Sequence, residues 1–199
     1  MIYIRKQINL PPVTKVVPCI GIASYKRTDD PYGTFDSESS TGGTFGPGAG
    51  KVPQGVYTPP DYRLHRYRMG AAFSMPQMAG YTITSALLNI SVLSYTTALE
   101  SFTPKIFLSL GDYHAFGTGW WDATDLTLAA IALATGSQSI SLSTGSLGAF
   151  SNSYMNLILA SGGEVNGTGA GGDSNNSAKF LVDSASYFNS IQIILTLQP

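Results

Sequence analysis

Apolar and polar residues alternate in several short stretches of this chain. The clearest is 82–95, TITSALLNISVLSY, where Leu88, Ile90 and Val92 alternate with Asn89 and Ser91. A period of two puts the apolar set on one face of a pleated strand. The same pattern recurs at 104–110 with Ile106, Leu108 and Leu110, and at 138–143 with Ile140 and Leu142. It recurs again at 153–160 with Met155, Leu157 and Leu159, and at 190–197 with Ile191, Ile193, Leu195 and Leu197. Residues 67–75, YRMGAAFSM, and 178–182, AKFLV, read as further strands. In 15–24, KVVPCIGIAS, Pro18 carries no N–H, which predicts an edge strand or a strand with a break. One stretch differs. Residues 125–134, DLTLAAIALA, open on Asp125 as an N-cap and carry alanines, which predicts a short helix, although Leu126 and Leu128 also suit a strand.

Between these stretches lie Gly, Ser and Asn turns. Seven to nine strands at this spacing predict an all-β antiparallel sandwich, not alternating βαβ units. Residues 1–14 read as an extended N-terminal arm, closed by Pro11-Pro12, and 15–199 as one domain. Within that domain 29–62 is rich in Gly and Pro and reads as one long loop.

Composition narrows the function classes. Of the 199 residues 43% are hydrophobic, enough for a core, and 12% are charged, about half the usual ~25%. That excludes a disordered chain and a long charged helix. The formal net charge of -1 argues against a nucleic-acid partner. No apolar run reaches the ~18 residues of a membrane helix, so no membrane partner is expected. Charge is polarised, however. Residues 1–70 hold nine basic residues against five acids, and 71–199 hold two against seven. Such a molecule can stack head to tail or lie on an acidic partner surface. MIYIRKQINLPP has no apolar stretch like that of a secretion signal. The body is nevertheless rich in Ser, Thr, Gly, Asn and Tyr, like an extracellular surface. A virus particle reconciles the two, since its proteins assemble in the cytoplasm and later face the outside.

Residues 66–95 resemble the front of carbohydrate-binding-module-like jelly rolls of the DNRLRE type. The likeness rests on Arg66 or Arg68, Phe73, Pro76, Gly80, Ile83, Ser85-Ala86 and the Leu88, Ile90, Val92 strand. Asp29, Tyr32 and Gly33 resemble the family's early turn, and Trp120-Trp121 and Phe180 its later positions. The long Gly/Pro stretch before the arginine departs from the family. The resemblance covers about residues 25–199 and implies a two-sheet antiparallel jelly-roll sandwich with a structural or adhesive role in cell-surface or virion (phage) proteins.

Candidate chemistry is sparse. His65 and His114 are the two histidines, and Asp112 would share a strand face with His114. No nucleophile elbow accompanies them, so no catalytic residue and no enzyme activity are expected. GPGAGK ends like a phosphate loop, but Phe45 and Val52 break the pattern. Cys19, the single cysteine, rules out an internal disulfide. Asp29, Asp30, Asp36 and Glu38 suit calcium by ligand type, but neither they nor Asp112, Asp122 and Asp125 follow a calcium-loop spacing. No metal or cofactor is therefore expected. Exposed rings can cover the apolar face of a sugar, and Tyr113, Phe116, Trp120 and Trp121 are the candidates for a glycan or an interface. Ile2, Tyr3, Ile4, Arg5 and Lys6 of the arm, with Arg63, Arg66 and Arg68, are the candidates for capsid or subunit contact. The expected role is that of a capsid decoration (cement) protein. Its partner would be the major capsid protein or another virion protein, and it would act as a homo-oligomer, by analogy a trimer. The alternative is a carbohydrate-binding or adhesive module.

Overall fold

A computed structural model describes residues 10–29, 35–40, 51–57, 64–76, 78, 80–97, 104–109, 126–147, 154–161, 177–183 and 187–199. These form β1 (Val13–Asp29), β2 (Phe35–Ser40), β3 (Lys51–Tyr57), β4 (Leu64–Ser74) and β5 (Thr82–Thr97). Then come β6 (Pro104–Ser109), β7 (Leu126–Ala130), β8 (Gly136–Ser141), the single-turn helix α1 (Thr144–Leu147) and β9 (Tyr154–Ser161). β10 (Ser177–Asp183), a second single turn, α2 (Tyr187–Ser190), and β11 (Gln192–Gln198) complete the described elements.

The architecture is all-β, and every strand pairing is antiparallel. Followed from β1 through β11, β5, β10, β3 and β4, the ladder returns to β1, so the sheet nearly closes into a barrel. β9, β6 and β7 continue beyond β4, β2 lies beside β1, and β8 lies beside β5. Closure leaves few free edges and encloses the inward-facing side chains.

Alternation puts the expected residues inside. Leu88, Ile90 and Val92 of β5 and Ile193, Leu195 and Leu197 of β11 are buried, with Ile106 and Leu108 of β6 and Ile140 of β8. Phe73, Met69 and Ile22 are among the largest side chains with no contact with water. β9 departs from simple alternation. Met155, Leu157 and Leu159 join the core as expected, but Asn156, Ile158 and Ala160 on the opposite face are buried too.

The structure bears on four expectations. Pro18 falls where the β1 ladder breaks, one of the two placements expected for it, and among the described strands Val13–Pro18 are paired on one side only. Val13–Pro18 pair with β11, and from Cys19 onward β1 pairs with β4 through a register shift between Cys19 and Gly21. A residue without an N–H interrupts a ladder, and the strand changes partner at that point. The Cys19 N–H donates to the Ile191 carbonyl at 2.9 Å, which keeps the junction satisfied. Next, the 29–62 stretch is not one loop, because β2 and β3 lie within it. Pro53 is tolerated because Lys51–Gln54 pair with β10 alone, and β4 is reached only from Gly55 on. Third, 126–130 is a strand and not a helix. The alanines of β7 pair with β6, Ala129 opposite Ile106 and Ala130 opposite Lys105, and tertiary pairing outweighs their helix preference. Last, Leu10–Pro12 at the end of the arm are exposed and outside any strand, and the rest of the arm, 1–9, lies outside the described residues.

The turn into β5 closes by the Tyr81 N–H donating to the Met78 carbonyl at 2.9 Å, with Gly80 at φ 84°. A side chain there would be strained.

Phe73→Ala is expected to cost about 3–5 kcal/mol in denaturant unfolding, because a ring fully enclosed by the barrel leaves a cavity. Ser74→Ala, one residue along on the exposed side, is expected to stay within about 0.5 kcal/mol of the parent.

Candidate binding surface

Most of the residues singled out from the sequence lie outside the described residues: Ile2, Tyr3, Ile4, Arg5, Lys6, Arg63, Asp112, Tyr113, His114, Phe116, Trp120 and Trp121. The backbone of Arg66 pairs with Arg27 on one side of β4 and Val56 on the other, while its side chain is not described. Arg68 is a correction. It is only 5% exposed and is engaged within the fold, so it is not a surface contact. The cause is the place of β4, which has β1 along one edge and β3 and β9 along the other.

Among the described residues no three His, Cys, Asp or Glu side chains come together to hold a metal ion. No described helix is long and apolar enough to cross a membrane. Cys19 is fully enclosed, and its thiol donates to the Gly21 carbonyl at 3.2 Å. Burial pushes its pKa from 9.0 up to about 12, only partly offset by backbone contacts at Gly21 and Ala72. A protonated, enclosed thiol is an inert packing group.

What the fold does offer is the outer face of β1, β11, β5 and β8. Register sets Val16, Ile194, Leu87 and Ser141 in one row across these four strands. Val16 is 56% exposed, and Ile194 and Leu87 are half-buried. Ile20 is exposed further along β1. Leu10, 54% exposed, is tied to the same sheet because the Gln198 Nε2 donates to its carbonyl at 2.9 Å. This apolar stripe follows from Val16 and Leu87 falling at outward positions of otherwise regular alternation.

The neighbouring row is polar: Pro18, Gln192, Asn89 and Ser139. One step further, Ser91 faces Ser137 of β8. On the other edge of β5 the paired strand is interrupted here. β11 reaches Asn89, β10 begins at Val92, and α2 lies between them in the chain. α2 packs against β1 and β5. The result is a groove of about 390 Å³ lined chiefly by Asn89, Ser91, Ser137, Ser139, Asn189 and Ser190. Among the described residues no ionisable side chain lines it. The Ser139 hydroxyl donates to the Asn89 Oδ1 at 2.6 Å. The Gln138 amide, on the β8 wall, donates to the carbonyls of Ala132 and Ala134 at 3.1 and 2.7 Å.

Sequence reasoning did not find this groove. Asn89 and Ser91 read only as outward polar positions of a strand, and their company of Ser137, Ser139 and Asn189 is a product of pairing. In comparison with known proteins, no family model matches the chain and no curated protein matches it.

The Cys19 thiol is expected to resist thiol reagents in the native protein and to react once the chain is unfolded. Below pH 9.0 both states keep the proton. Above it the unfolded chain releases a proton that the folded chain retains, so folding stability falls as pH rises toward the folded value. Relative to Cys19→Ala, the parent should lose up to about 1.4 kcal/mol per pH unit in that window, read from denaturant melts.

Proposed function

We propose that this chain is a structural protein of a virus-particle exterior, a decoration or cement protein that attaches to a capsid or other virion protein and turns over no substrate. The observation that carries this reading is the outward apolar row of Val16, exposed, and Ile194 and Leu87, half-buried, flanked by the exposed Ile20 and Leu10 on the same sheet. Contiguous exposed apolar surface on a rigid sheet is a docking feature, since leaving it in water costs free energy that contact recovers. Leu10 also ties the N-terminal segment to this face, so an arm and a flat surface would engage a partner together. Binding of this kind stabilises a particle by mass action. The low charge and the exterior-type composition support the same reading. A homo-oligomer, by analogy a trimer, would present several such faces to a shell.

Val16→Lys is expected to leave the thermal midpoint within a few degrees of the parent, because the side chain is exposed. It should weaken binding to the native particle by tenfold or more, read by co-sedimentation. Removing residues 1–12 should likewise give a folded protein that no longer binds. Wild-type affinity in both variants would refute the docking face and the arm.

A further inference from the structure

We propose that two copies of this chain pair through the free edge of β8, antiparallel and about a twofold axis, into one continuous sheet. The proposal is independent of the particle reading, and it specifies a contact between copies.

Backbone direction identifies the edge. The Leu142 N–H, just past β8, donates to the Ala86 carbonyl of β5 at 2.9 Å. Bonding residues alternate along an antiparallel strand, and the β5–β8 register runs from Leu87 opposite Ser141 to Val92 opposite Gly136 without a shift. Even-numbered residues of β8 therefore bond to β5, and the N–H and C=O groups of Ser137, Ser139 and Ser141 point away from it. Among the described residues those groups meet no backbone partner, and the three serines are exposed. The next outward donor, the Ser143 N–H, donates to the Leu128 carbonyl of β7 at 3.0 Å, so this side does accept a neighbouring strand. A row of unpaired donors and acceptors on a straight strand is a template for another strand.

Other edges carry guards, and β8 does not. Among the described strands β2 pairs with β1 alone, and its sequence holds Asp36 and Glu38. Val13–Pro18 of β1 pair with β11 alone and hold Lys15 and Pro18. Lys15 is exposed although it stands in the row of the buried Leu195 and Ala86. Prolines and charges, above all charges at inward positions, are what keep strands from adding to an edge. β8, GSQSIS, has no charge, no proline and no bulge.

The side chains choose a second copy as the partner. Strand addition takes its affinity from main-chain bonds and its selectivity from pockets for alternate side chains. Ser137, Ser139 and Ser141 offer neither pocket nor charge to select a foreign sequence. The same strand reversed is self-complementary. With Ser139 opposite the partner's Ser139, Ser137 falls opposite the partner's Ser141, and Gln138 opposite the partner's Ile140. The outward residues of both copies then occupy bonding positions, with two N–H···O=C bonds for each facing pair of serines. Hydroxyls meet hydroxyls on the outer side, and no like charges meet. A twofold contact uses one patch on both copies and closes on itself. The edge is also held in shape before pairing, because the Gln138 amide ties β8 to the carbonyls of Ala132 and Ala134.

The test is sedimentation equilibrium of the full-length protein over a wide concentration range, with amide hydrogen exchange read residue by residue by NMR. Wild type is expected to dimerise. The Ser137, Ser139 and Ser141 amides should exchange about tenfold more slowly, or slower still, where the dimer predominates. Ser139→Lys sets like charges opposite each other at the axis. Ser139→Pro removes a donor that faces away from β5 and so spares the β5 ladder. Each, shown to keep the parent's thermal midpoint, should weaken the dimer about tenfold or more. If Ser139→Pro fails to fold, Ser139→Lys and the wild-type exchange pattern decide the matter. A protein that stays monomeric at submillimolar concentration, a trimer, a dimer whose three serine amides exchange as in the monomer, or a dimer indifferent to Ser139→Lys would overturn the proposal. Val16→Lys, three strands away, should leave the dimer intact, so loss of particle binding without loss of the dimer separates this edge from the docking face.

Discussion

The backbone of β5 runs for sixteen residues, and no other described strand runs beside it for that length. One edge is therefore shared. β11 covers Thr82–Asn89, β10 covers Val92–Thr97, and the one-turn helix α2 falls between them in the chain. The opposite edge takes β8 over Leu87–Val92. This arrangement joins β10, and through it β3 and β4, to the same ladder as β11 and β1. Ring closure and the groove thus have one origin, the sharing of an edge by two strands.

The same constraint acts on β1. It has seventeen residues, and Pro18 cannot donate. The strand hands its pairing from β11 to β4 where the donor is missing, and Cys19 and Gly21 take up the irregularity. The enclosed thiol sits at this junction, which accounts for its raised pKa. Packing there is tight on both sides, so Cys19 acts as a small apolar filler.

Few charges enter this body. Arg68 is the one ionisable group among the described buried polar residues, beside Ser109 and Asn156. Attachment through such a surface relies on apolar contact and neutral hydrogen bonds, which salt screens little. The apolar row near Val16 and the neutral groove near Ser91 are two versions of that chemistry on one sheet face.

Strand identity was legible wherever a period of two met one-sided burial, as in β5, β8 and β11. Local alternation is set by the pleat, and burial of one face leaves its mark residue by residue. The pattern lost its force where that condition failed. β9 is buried on both faces, so Ile158 and Ala160 carried no sign of their surroundings. β2 and β3 hide among glycines and prolines, and β7 has the alanines of a helix; all three exist because neighbouring strands supply their hydrogen bonds. Arg68 looked like a surface cation because a sequence cannot show which strands flank β4. The groove draws on residues 89–91, 137–139 and 189–190, about fifty residues apart in the chain. Alternation decided which side chains turn outward, and only pairing across β5 decided which of them meet, because register between distant strands is a property of the closed sheet and of no single segment.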